Sequence, residues 1–600
     1  MKNNNSYLFQ VNLKGMIELL SEHIYSSPNV FVRELLQNGI DAITARQSLD
    51  ESFSGEINIY TNTDQSEIVF VDNGIGQTED EIHKFLSVIG QSSKRDDILE
   101  KDFIGKFGIG LLSCFVVSNE ITMETRSLFK KGKGIRWKGK ADGTYTVEKI
   151  KEKIPYGTKV ILYPKREWKT LFEATALKNN ILFFGNALPV QINMITDDKK
   201  HVLVDRTPVW LDPDSSQEEL LKYGLEAFNI DFLDAFRIKA ETGEIEGVGF
   251  IMPYRIQFSS AKEHKIYMKR MYLCDQANNL FPEWTSFVKC IINTNTLRPT
   301  ASREALMNDN NLRHAKKEIN ASFKEYLTRM TYENPEMLGN IISIHNAYIK
   351  ALAAEDSQLL KLFVDFLPFE TNKGVICLGE LRDSDEDVFY TLSLYDFKQI
   401  RRIAGSQGKM VINAAYSFEN ELIRKIAAVF PEFRLTVITP QEILSSFGET
   451  PANDQQFILF EKKANMVLKE NYCKARIKKF EPQDTPVIYI ADDDALDSKD
   501  ISSPDNNINP FASAIPVFAK NKEKTMSTLC FNKDNSLISD LIGLDDDTIF
   551  EAVINILYVQ SLMLGNYPVN KKEMTTFNDS VYKLIIMGMS NFSQHLNLDL

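Results

Sequence analysis

Residues 30–47 read VFVRELLQNGIDAITARQ, and the expected fold depends on their spacing. At about 100° per residue, Glu34, Asn38 and Asp41 fall within about 60° of one another on one side of a helix. The opposite arc carries the apolar residues Val32, Leu35, Leu36, Ile40 and Ile43. This stretch by itself is compatible with an ordinary amphipathic helix that has a wet polar face, or with a helix that points Glu34 and Asn38 at a ligand.

Strand-like runs flank a short acidic and glycine-containing turn. The run Glu67–Val71 ends in Asp72-Asn73-Gly74-Ile75-Gly76. Glycine permits a tight or left-handed backbone and the close approach of a ligand, and an aspartate there can accept a hydrogen bond from an adenine amino group. A plain turn is the alternative, because Asp-Asn-Gly is common turn chemistry. The other strand candidates in this region are Glu56–Thr61, Glu120–Arg126, Gly143–Lys149 and Thr158–Tyr163.

A glycine-rich loop, Ile104–Gly110 (IGKFGIG), precedes the apolar run Leu111–Val117. Glycines before a helix let backbone amides face an anion such as a nucleotide phosphate. The loop matches neither GxxxxGK[ST] nor GxGxxG. The polar segment Ser92–Phe103 before it is long enough to act as a lid. Farther on, Gly157-Thr158 opens a strand and offers a hydroxyl to a base.

The composition restricts the class of protein. A net charge of −13 argues against a protein whose main task is to grip nucleic acid. No stretch approaches the roughly 18 uninterrupted apolar residues of a membrane span, and the N-terminus lacks a signal-peptide core, so a cytoplasmic location is expected. The six cysteines form no CxxC pair and the seven histidines no HExxH, so a transition-metal site is not expected.

In this order and spacing, the four motifs resemble the GHKL ATPase superfamily of gyrase B subunits, heat-shock chaperones, histidine kinases and MutL-type proteins. Later segments are similar to the middle domain of the ninety-kilodalton heat-shock chaperones, most closely the bacterial HtpG type. They are Leu280–Lys289 (LFPEWTSFVK), Leu297–Glu304 (LRPTASRE) and residues 363–380. The resemblance covers most of residues 8–440 and, more loosely, residues 548–588.

The resemblance implies an α+β, multi-domain fold. A GHKL (Bergerat-type) two-layer α/β sandwich is expected in residues 1–165. The middle domain follows, with a large part in 166–335 and a small α/β part in 336–450. A helical dimerisation domain is expected in 451–600.

The resemblance also implies catalytic roles for particular residues. Glu34 orients or deprotonates the attacking water, and Arg33 holds its carboxylate. Asn38 binds the Mg²⁺ ion that bridges the phosphates of ATP. Arg303 arrives from the middle domain as a sensor of the γ-phosphate. A guanidinium suits this role because it stays charged and can donate two hydrogen bonds to one phosphate group.

Nucleotide contacts are implied for a larger set. Asp72 and Thr158 recognise adenine, and Gly76 leaves room for it. The remaining implied ATP contacts are Asp41, Ser92, Ser93, Gly105, Lys106, Phe107, Gly108, Ile109 and Gly110.

The function implied is an ATP-dependent, homodimeric chaperone that hydrolyses ATP and remodels client proteins, without membrane or nucleic-acid partners and without co-chaperones that read a C-terminal tail. Two alternatives remain open: a nucleotide-gated scaffold with little hydrolysis, and a DNA-directed GHKL ATPase of the MutL or gyrase type. Three departures from the family pattern are consistent with slow hydrolysis. Gln91 stands where a lysine is usual, the lid between Lys94 and Ile104 is short, and Leu111 and Leu112 replace aromatic residues.

Overall fold

The structure is a computed structural model. It describes residues 27–62, 64, 67–85, 110–129, 132–256, 263–276, 279–300, 304–382, 386–416, 418–448, 454–491, 526–565 and 567–596. The chain divides into two compact units, the first ending at Asn334 and the second beginning at Pro335. The helical spacing of apolar residues in 11–26 predicts a helix there, and the acidic segment Ala491–Pro510 predicts an exposed linker. Residues 11–26 and 492–510 lie outside the described residues.

The first long helix, α1, spans Val30–Gln47 as predicted. Its apolar side chains, including Phe31, Leu36 and Ile40, are buried in the core of the first unit. The polar stripe is buried as well, since Glu34 and Asp41 are 3% and 2% exposed. An ordinary amphipathic helix with a wet polar face is therefore the wrong interpretation of this stretch, because protein packs against both of its sides.

The helix lies on an eight-stranded sheet whose order is β5-β4-β3-β6-β2-β1-β7-β8. The strands are β1 Glu56–Thr61, β2 Ile68–Asp72, β3 Ser118–Arg126, β4 Ile135–Lys140, β5 Tyr145–Lys149, β6 Gly157–Pro164, β7 Gln191–Thr196 and β8 Lys199–Val204. The helices between them are α2 Glu79–Phe85, α3 Cys114–Val117 and α4 Ala174–Gly185. Strand β7 pairs in parallel with β1, so this sheet continues past residue 165, where the limit of the first domain was expected.

A second sheet completes the first unit, in the order β12-β11-β13-β10-β9. Its elements are α5 Gln217–Phe228, β9 Asp234–Ala240, β10 Ile245–Ile251, β11 Lys265–Met268, β12 Met271–Cys274, β13 Val288–Thr294 and α6 Asn310–Glu333. Helix α6 stacks Tyr326 on Phe236 of β9 at 4.2 Å between ring centroids. The sheet thus buries one face under a long helix, which gives the α/β layering expected for the middle of the chain.

The second unit begins with helices and a small mixed sheet in the order β15-β14-β17-β16-β18. Its elements are α7 Pro335–Ile344, α8 Asn346–Glu355, α9 Ser357–Phe363, β14 Pro368–Thr371, β15 Gly374–Cys377, β16 Val388–Thr391, α10 Leu394–Ser406, β17 Met410–Asn413, α11 Glu419–Val429, β18 Leu435–Val437 and α12 Pro440–Ser446. Strands β17 and β18 both pair in parallel with β16, with helices α10 and α11 in the connections. This is the small α/β unit predicted from the sequence.

The last part of the chain packs helices on a three-stranded sheet in the order β19-β21-β20. Its elements are α13 Gln455–Leu468, β19 Cys473–Lys478, β20 Val487–Ile490, β21 Ser527–Asn532, α14 Ser536–Ile542, α15 Asp547–Leu564 and α16 Lys571–Leu596. By length and composition alone, α15 passes as a candidate membrane span in the described part of the chain. It carries Phe550, Ile554 and Tyr558 into the hydrophobic core, as the core helix of a globular lobe does.

The mixed α+β, multi-sheet fold class expected from the sequence is confirmed, and so is a helical C-terminal region. The limits of the individual domains stay predictions.

Candidate nucleotide-binding site

Helix α1 brings a carboxylate and an amide to one place, one turn apart. Between Val30 and Ile43, Asn38 is the one exposed residue, and Glu34 is buried one turn before it. Asn38 is therefore open to solvent on a helix that is otherwise covered, and its contact with Mg²⁺ stays a prediction.

Arg33 and Glu34 form a buried ion pair on this helix. The Nε and Nη2 atoms of Arg33 donate to Glu34 Oε1 at 3.3 and 3.2 Å. The predicted contact between these two residues is therefore present. The pair is charge-assisted and shielded from water, which holds the carboxylate in a defined orientation.

Gly110 lies directly against the same carboxylate. A Cβ atom at this position would collide with Glu34 Oε2, so any larger residue displaces the acid. The Ser113 hydroxyl donates to the Gly110 carbonyl at 2.7 Å and closes this turn. Next along the chain, burial and the nearby Glu34 carboxylate raise the pKa of the Cys114 thiol above its usual range. Leu111 and Leu112, which replace the expected aromatics, pack against the core.

A row of three polar residues crosses the sheet below the helix. Asp72 on β2 lies opposite Thr158 on β6, and Thr158 lies opposite Thr125 on β3. Residues directly opposite in antiparallel strands share one face of the sheet, with Cβ atoms about 5 Å apart. The two residues expected to recognise adenine are therefore side by side.

Asp72 carries a perturbed carboxyl group. Its Oδ1 accepts a hydrogen bond from the Gly74 amide at 2.9 Å. Part of the side chain stays accessible, yet the carboxyl lies deep enough in the protein that burial raises its pKa to about 7. Backbone hydrogen bonds, including those with Gly74 and Thr158, oppose this shift without cancelling it. A perturbed carboxyl beside bare backbone is typical of a binding site.

Two glycines form the backbone around this carboxyl. Gly76 has φ +68°, and a Cβ atom there would collide with the carbonyl of Arg126. Gly157 has φ +120°, and a Cβ atom there would collide with the carbonyl of Asp72. Both positions require glycine, because φ is positive and neighbouring backbone fills the space of a Cβ atom; the predicted role of Gly76 in leaving room for adenine stays a prediction.

Gly39 joins the helix residues to the sheet residues. A Cβ atom on Gly39 would lie 3.5 Å from the Cβ of Asp72, so the helix backbone rests on the aspartate. Gly39 follows Asn38 directly in the sequence. The helix that carries Glu34 and Asn38 therefore packs against the strand end that carries Asp72, and a shared site for these residues stays a prediction.

The remaining predicted site residues divide into two groups. Asp41 lies on α1 and is buried at 2% exposure. Ser92, Ser93, Gly105, Lys106, Phe107, Gly108, Ile109 and Arg303 lie outside the described residues. Their proposed contacts with ATP stay predictions.

The donor atoms present suit Mg²⁺ held together with phosphates. Among the described residues, no group of three or more His, Cys, Asp or Glu side chains is placed to hold a metal ion. The exposed amide of Asn38 supplies a single hard oxygen ligand. Mg²⁺ commonly takes one or two protein oxygens and completes its shell with water and substrate phosphates, so the site fits that use.

Three further residues that shape the site escaped the sequence-based predictions. Thr125 contacts Thr158, and Gly39 lets the helix approach the sheet. Arg46, on the last turn of α1, donates from Nη1 to the Asn73 carbonyl at 2.6 Å and so anchors the turn after Asp72. Of these residues, Arg46 could have been suspected from the sequence through its position on the predicted helix. The contacts of Thr125 could not, because they depend on the register between strands.

A buried acid and an open amide on a helix, above an aspartate at a strand end, define an ATPase domain of the GHKL type. The chain matches the family described as histidine kinase-, DNA gyrase B- and HSP90-like ATPase over residues 25–160. It matches the family described as Hsp90 protein over residues 252–384.

Proteins named chaperone protein HtpG align with most of the chain. The one from Chlorobium chlorochromatii is 23% identical over 73% of this chain and 71% of its own length. The one from Buchnera aphidicola subsp. Cinara cedri is 25% identical over 87% and 84%, respectively. The one from Chlorobaculum tepidum is 22% identical over 93% and 94%. With its GHKL-type ATPase domain, the chain belongs to the Hsp90/HtpG family.

Proposed function

We propose that the protein is an ATP-dependent molecular chaperone that hydrolyses ATP to close a homodimer and remodel client proteins. One observation supports this proposal: the backbone of α1 at Gly39, the residue after Asn38, packs against Asp72, which lies opposite Thr158 in the sheet. The match to Hsp90 protein over residues 252–384 favours a chaperone over the DNA-directed alternative.

The adenine base is recognised at the sheet. The ionised Asp72 carboxylate accepts a hydrogen bond from the exocyclic amino group, and Thr158 provides the second polar contact. Gly76 and Gly157 allow the backbone turns beside Asp72, because a Cβ atom at either position would collide with neighbouring backbone.

The phosphates extend toward α1. Asn38 would hold the Mg²⁺ ion, which supplies neutralisation of the phosphate charge when it is bound. Glu34 orients and deprotonates the attacking water, and the Arg33 guanidinium keeps its carboxylate from swinging away. Hydrolysis of this kind depends on positioning more than on covalent chemistry.

The proposal includes movements of larger parts of the chain. Residues Ser92, Ser93 and Gly105–Gly110 wrap the triphosphate, and Arg303 senses the γ-phosphate. The dimer forms through the C-terminal region, where α16 exposes Tyr582, Ile585 and Met589. The protein acts in the cytoplasm on client proteins, and the four domains keep the limits predicted from the sequence.

A scaffold that binds nucleotide with little hydrolysis is the second candidate. It is favoured by Leu111 and Leu112, which fill positions beside Gly110 with aliphatic side chains packed on the core. The rate of turnover by the purified full-length chain distinguishes the two candidates, because the scaffold binds ATP without releasing phosphate.

The nucleotide site is tested by the variant Asp72→Asn in the full-length protein. Loss of the charged acceptor is expected to weaken ADP binding at least about tenfold, measured by isothermal titration calorimetry. Asp142→Asn is the matched control, because Asp142 is an exposed aspartate beyond the end of β4 in the same sheet. Wild-type ADP affinity in Asp72→Asn contradicts the proposed site.

A further inference from the structure

Thr125 is fully buried in β3 and makes three hydrogen bonds through one hydroxyl group. The Gln77 amide lies 3.0 Å from its Oγ1, the Gly157 carbonyl 3.0 Å and the Thr158 hydroxyl 3.1 Å. None of these contacts is needed to hold β3 against β6, since the two strands are already paired through their backbones.

The direction of each hydrogen bond follows from the chemistry of the partners. An amide N–H can only donate, so Gln77 donates to Thr125. A carbonyl oxygen can only accept, so Thr125 gives its single hydrogen to Gly157. A hydroxyl offers one hydrogen and two lone pairs, so one acceptor position remains on Thr125.

The contact between the two hydroxyl groups allows either to donate, and once the hydrogen of Thr125 is given to Gly157 the donor is Thr158. In that arrangement the hydroxyl hydrogen of Thr158 is directed at Thr125, and only its lone pairs are left for a ligand. Asp72, the neighbour of Thr158 across β2, is also an acceptor when ionised. The edge of the site therefore presents two acceptors side by side.

We propose that Thr125 is a positioning residue that makes Thr158 a hydrogen-bond acceptor, so that the site selects a purine with an exocyclic amino group. This inference rests on the proposed nucleotide-binding function and deepens it. In this proposal both acceptors face the 6-position of the base. A 6-oxo purine places a carbonyl oxygen there instead of the amino group of adenine, and its N1 hydrogen lies one ring position away.

The experiment compares ADP with IDP, its 6-oxo analogue, by calorimetry on the full-length protein. The wild-type protein is expected to prefer ADP. Thr125→Val removes the hydroxyl, frees the Thr158 hydrogen to turn toward the ligand, and is expected to reduce the preference about fivefold. Thr125→Ser keeps the hydroxyl and is expected to keep the wild-type preference.

Two further variants separate this role from general damage to the strand. Thr122→Val alters a buried threonine on β3 whose side chain points to the opposite face, so it should leave the preference unchanged. Thr158→Val should reduce the preference at least as much as Thr125→Val does and keep the part due to Asp72, and adding Thr125→Val to it should change the preference no further. An unchanged ratio of ADP to IDP affinity in a folded Thr125→Val protein overturns the proposal.

If Thr125→Val does not fold, Thr158→Val decides. An acceptor at Thr158 predicts weaker ADP binding with IDP binding retained. Equal loss for both ligands, or a greater loss for IDP, overturns the proposal. A wild-type protein that binds neither nucleotide contradicts the proposed function itself. Nucleotide binding with an ADP preference that does not change in Thr125→Val contradicts only the role of Thr125.

Discussion

Two buried ion pairs, one in each unit of the chain, are similar in geometry and different in their surroundings. Arg33 Nη2 lies 3.2 Å from Glu34 Oε1, and the two side chains are 5% and 4% exposed. Lys350 Nζ contacts Glu419 Oε1, and these side chains are 5% and 10% exposed. Burial alone does not distinguish the two pairs.

Lys350 and Glu419 connect separate elements, since Lys350 lies on α8 and Glu419 begins α11. The ammonium lies 4.1 Å from the ring centroid of Phe369, so an apolar wall covers it. Burial lowers the pKa of Lys350 and raises that of Glu419, and the attraction between the two groups only partly offsets this effect. The pair acts as a structural connection within the second unit.

Arg33 and Glu34 are neighbours on one helix, so the ion pair between them lies within a single element. Gly110 lies bare against the carboxylate, and Asn38 opens to solvent one turn away. In this protein the pair at the candidate site adjoins bare backbone and an open polar group, whereas an aromatic ring covers the pair of the second unit.

The largest effect expected from this comparison is on catalysis. Glu34→Gln should lower ATP turnover by about 10²–10⁴-fold, because the general base is lost, while ADP affinity stays close to that of the wild type. Phosphate release and calorimetry on the full-length protein measure the two quantities. Wild-type turnover in Glu34→Gln contradicts the catalytic assignment of Glu34. The ion pair of Arg33 and Glu34 would then have no functional role that distinguishes it from the pair of Lys350 and Glu419.

The second effect is on stability and concerns the other pair. Lys350→Met leaves a buried carboxylate without its cation and should cost roughly 3–5 kcal/mol in the free energy of unfolding of the second unit, measured by urea denaturation. The double variant Lys350→Met, Glu419→Leu should recover most of this loss, because an apolar pair needs no compensation. A single variant as stable as the double one shows that the pair is not a structural connection.

The smallest effect is the pH dependence of nucleotide binding. Burial raises the pKa of Asp72 to about 7. Because the ionised form accepts the hydrogen bond from adenine, ADP affinity should rise about tenfold between pH 6 and pH 8 and release a proton on binding. Calorimetry in buffers of different ionisation enthalpy detects that proton.

The same shift predicts the stability of the nucleotide-free protein. The folded-state pKa lies above the ordinary value of 3.8, so the contribution of Asp72 to stability is fully present below about pH 4 and is lost as the pH rises through about 7. Asp72→Asn should lose both pH effects, whereas Thr158→Val should keep them. Binding by the wild type that is constant from pH 6 to pH 8 shows that ionisation of Asp72 is not coupled to the ligand.

Much of the local structure was predictable because it depends on periodic patterns. Helix α1 was expected at 30–47, where it is found, and strand β1 at 56–61, where it is found. Strand β4, Ile135–Lys140, was missed because its sequence IRWKGK carries too much charge and too few apolar residues for a strand pattern. Helix α3 is only four residues long, and a short 3₁₀ turn, Gly110–Ser113, replaces the start of the helix expected at Leu111–Val117.

Which side chains of α1 share a stripe, and which motif carries each candidate residue, could be read from the sequence, because helical and strand periods are local properties. The fold was needed to show that this stripe is buried except at Asn38, and that Asp72, Thr158 and Thr125 form one row. These facts depend on which strands are neighbours and in what register, and on which surface covers the helix. Contacts of that kind join residues far apart in the chain, so no local pattern contains them.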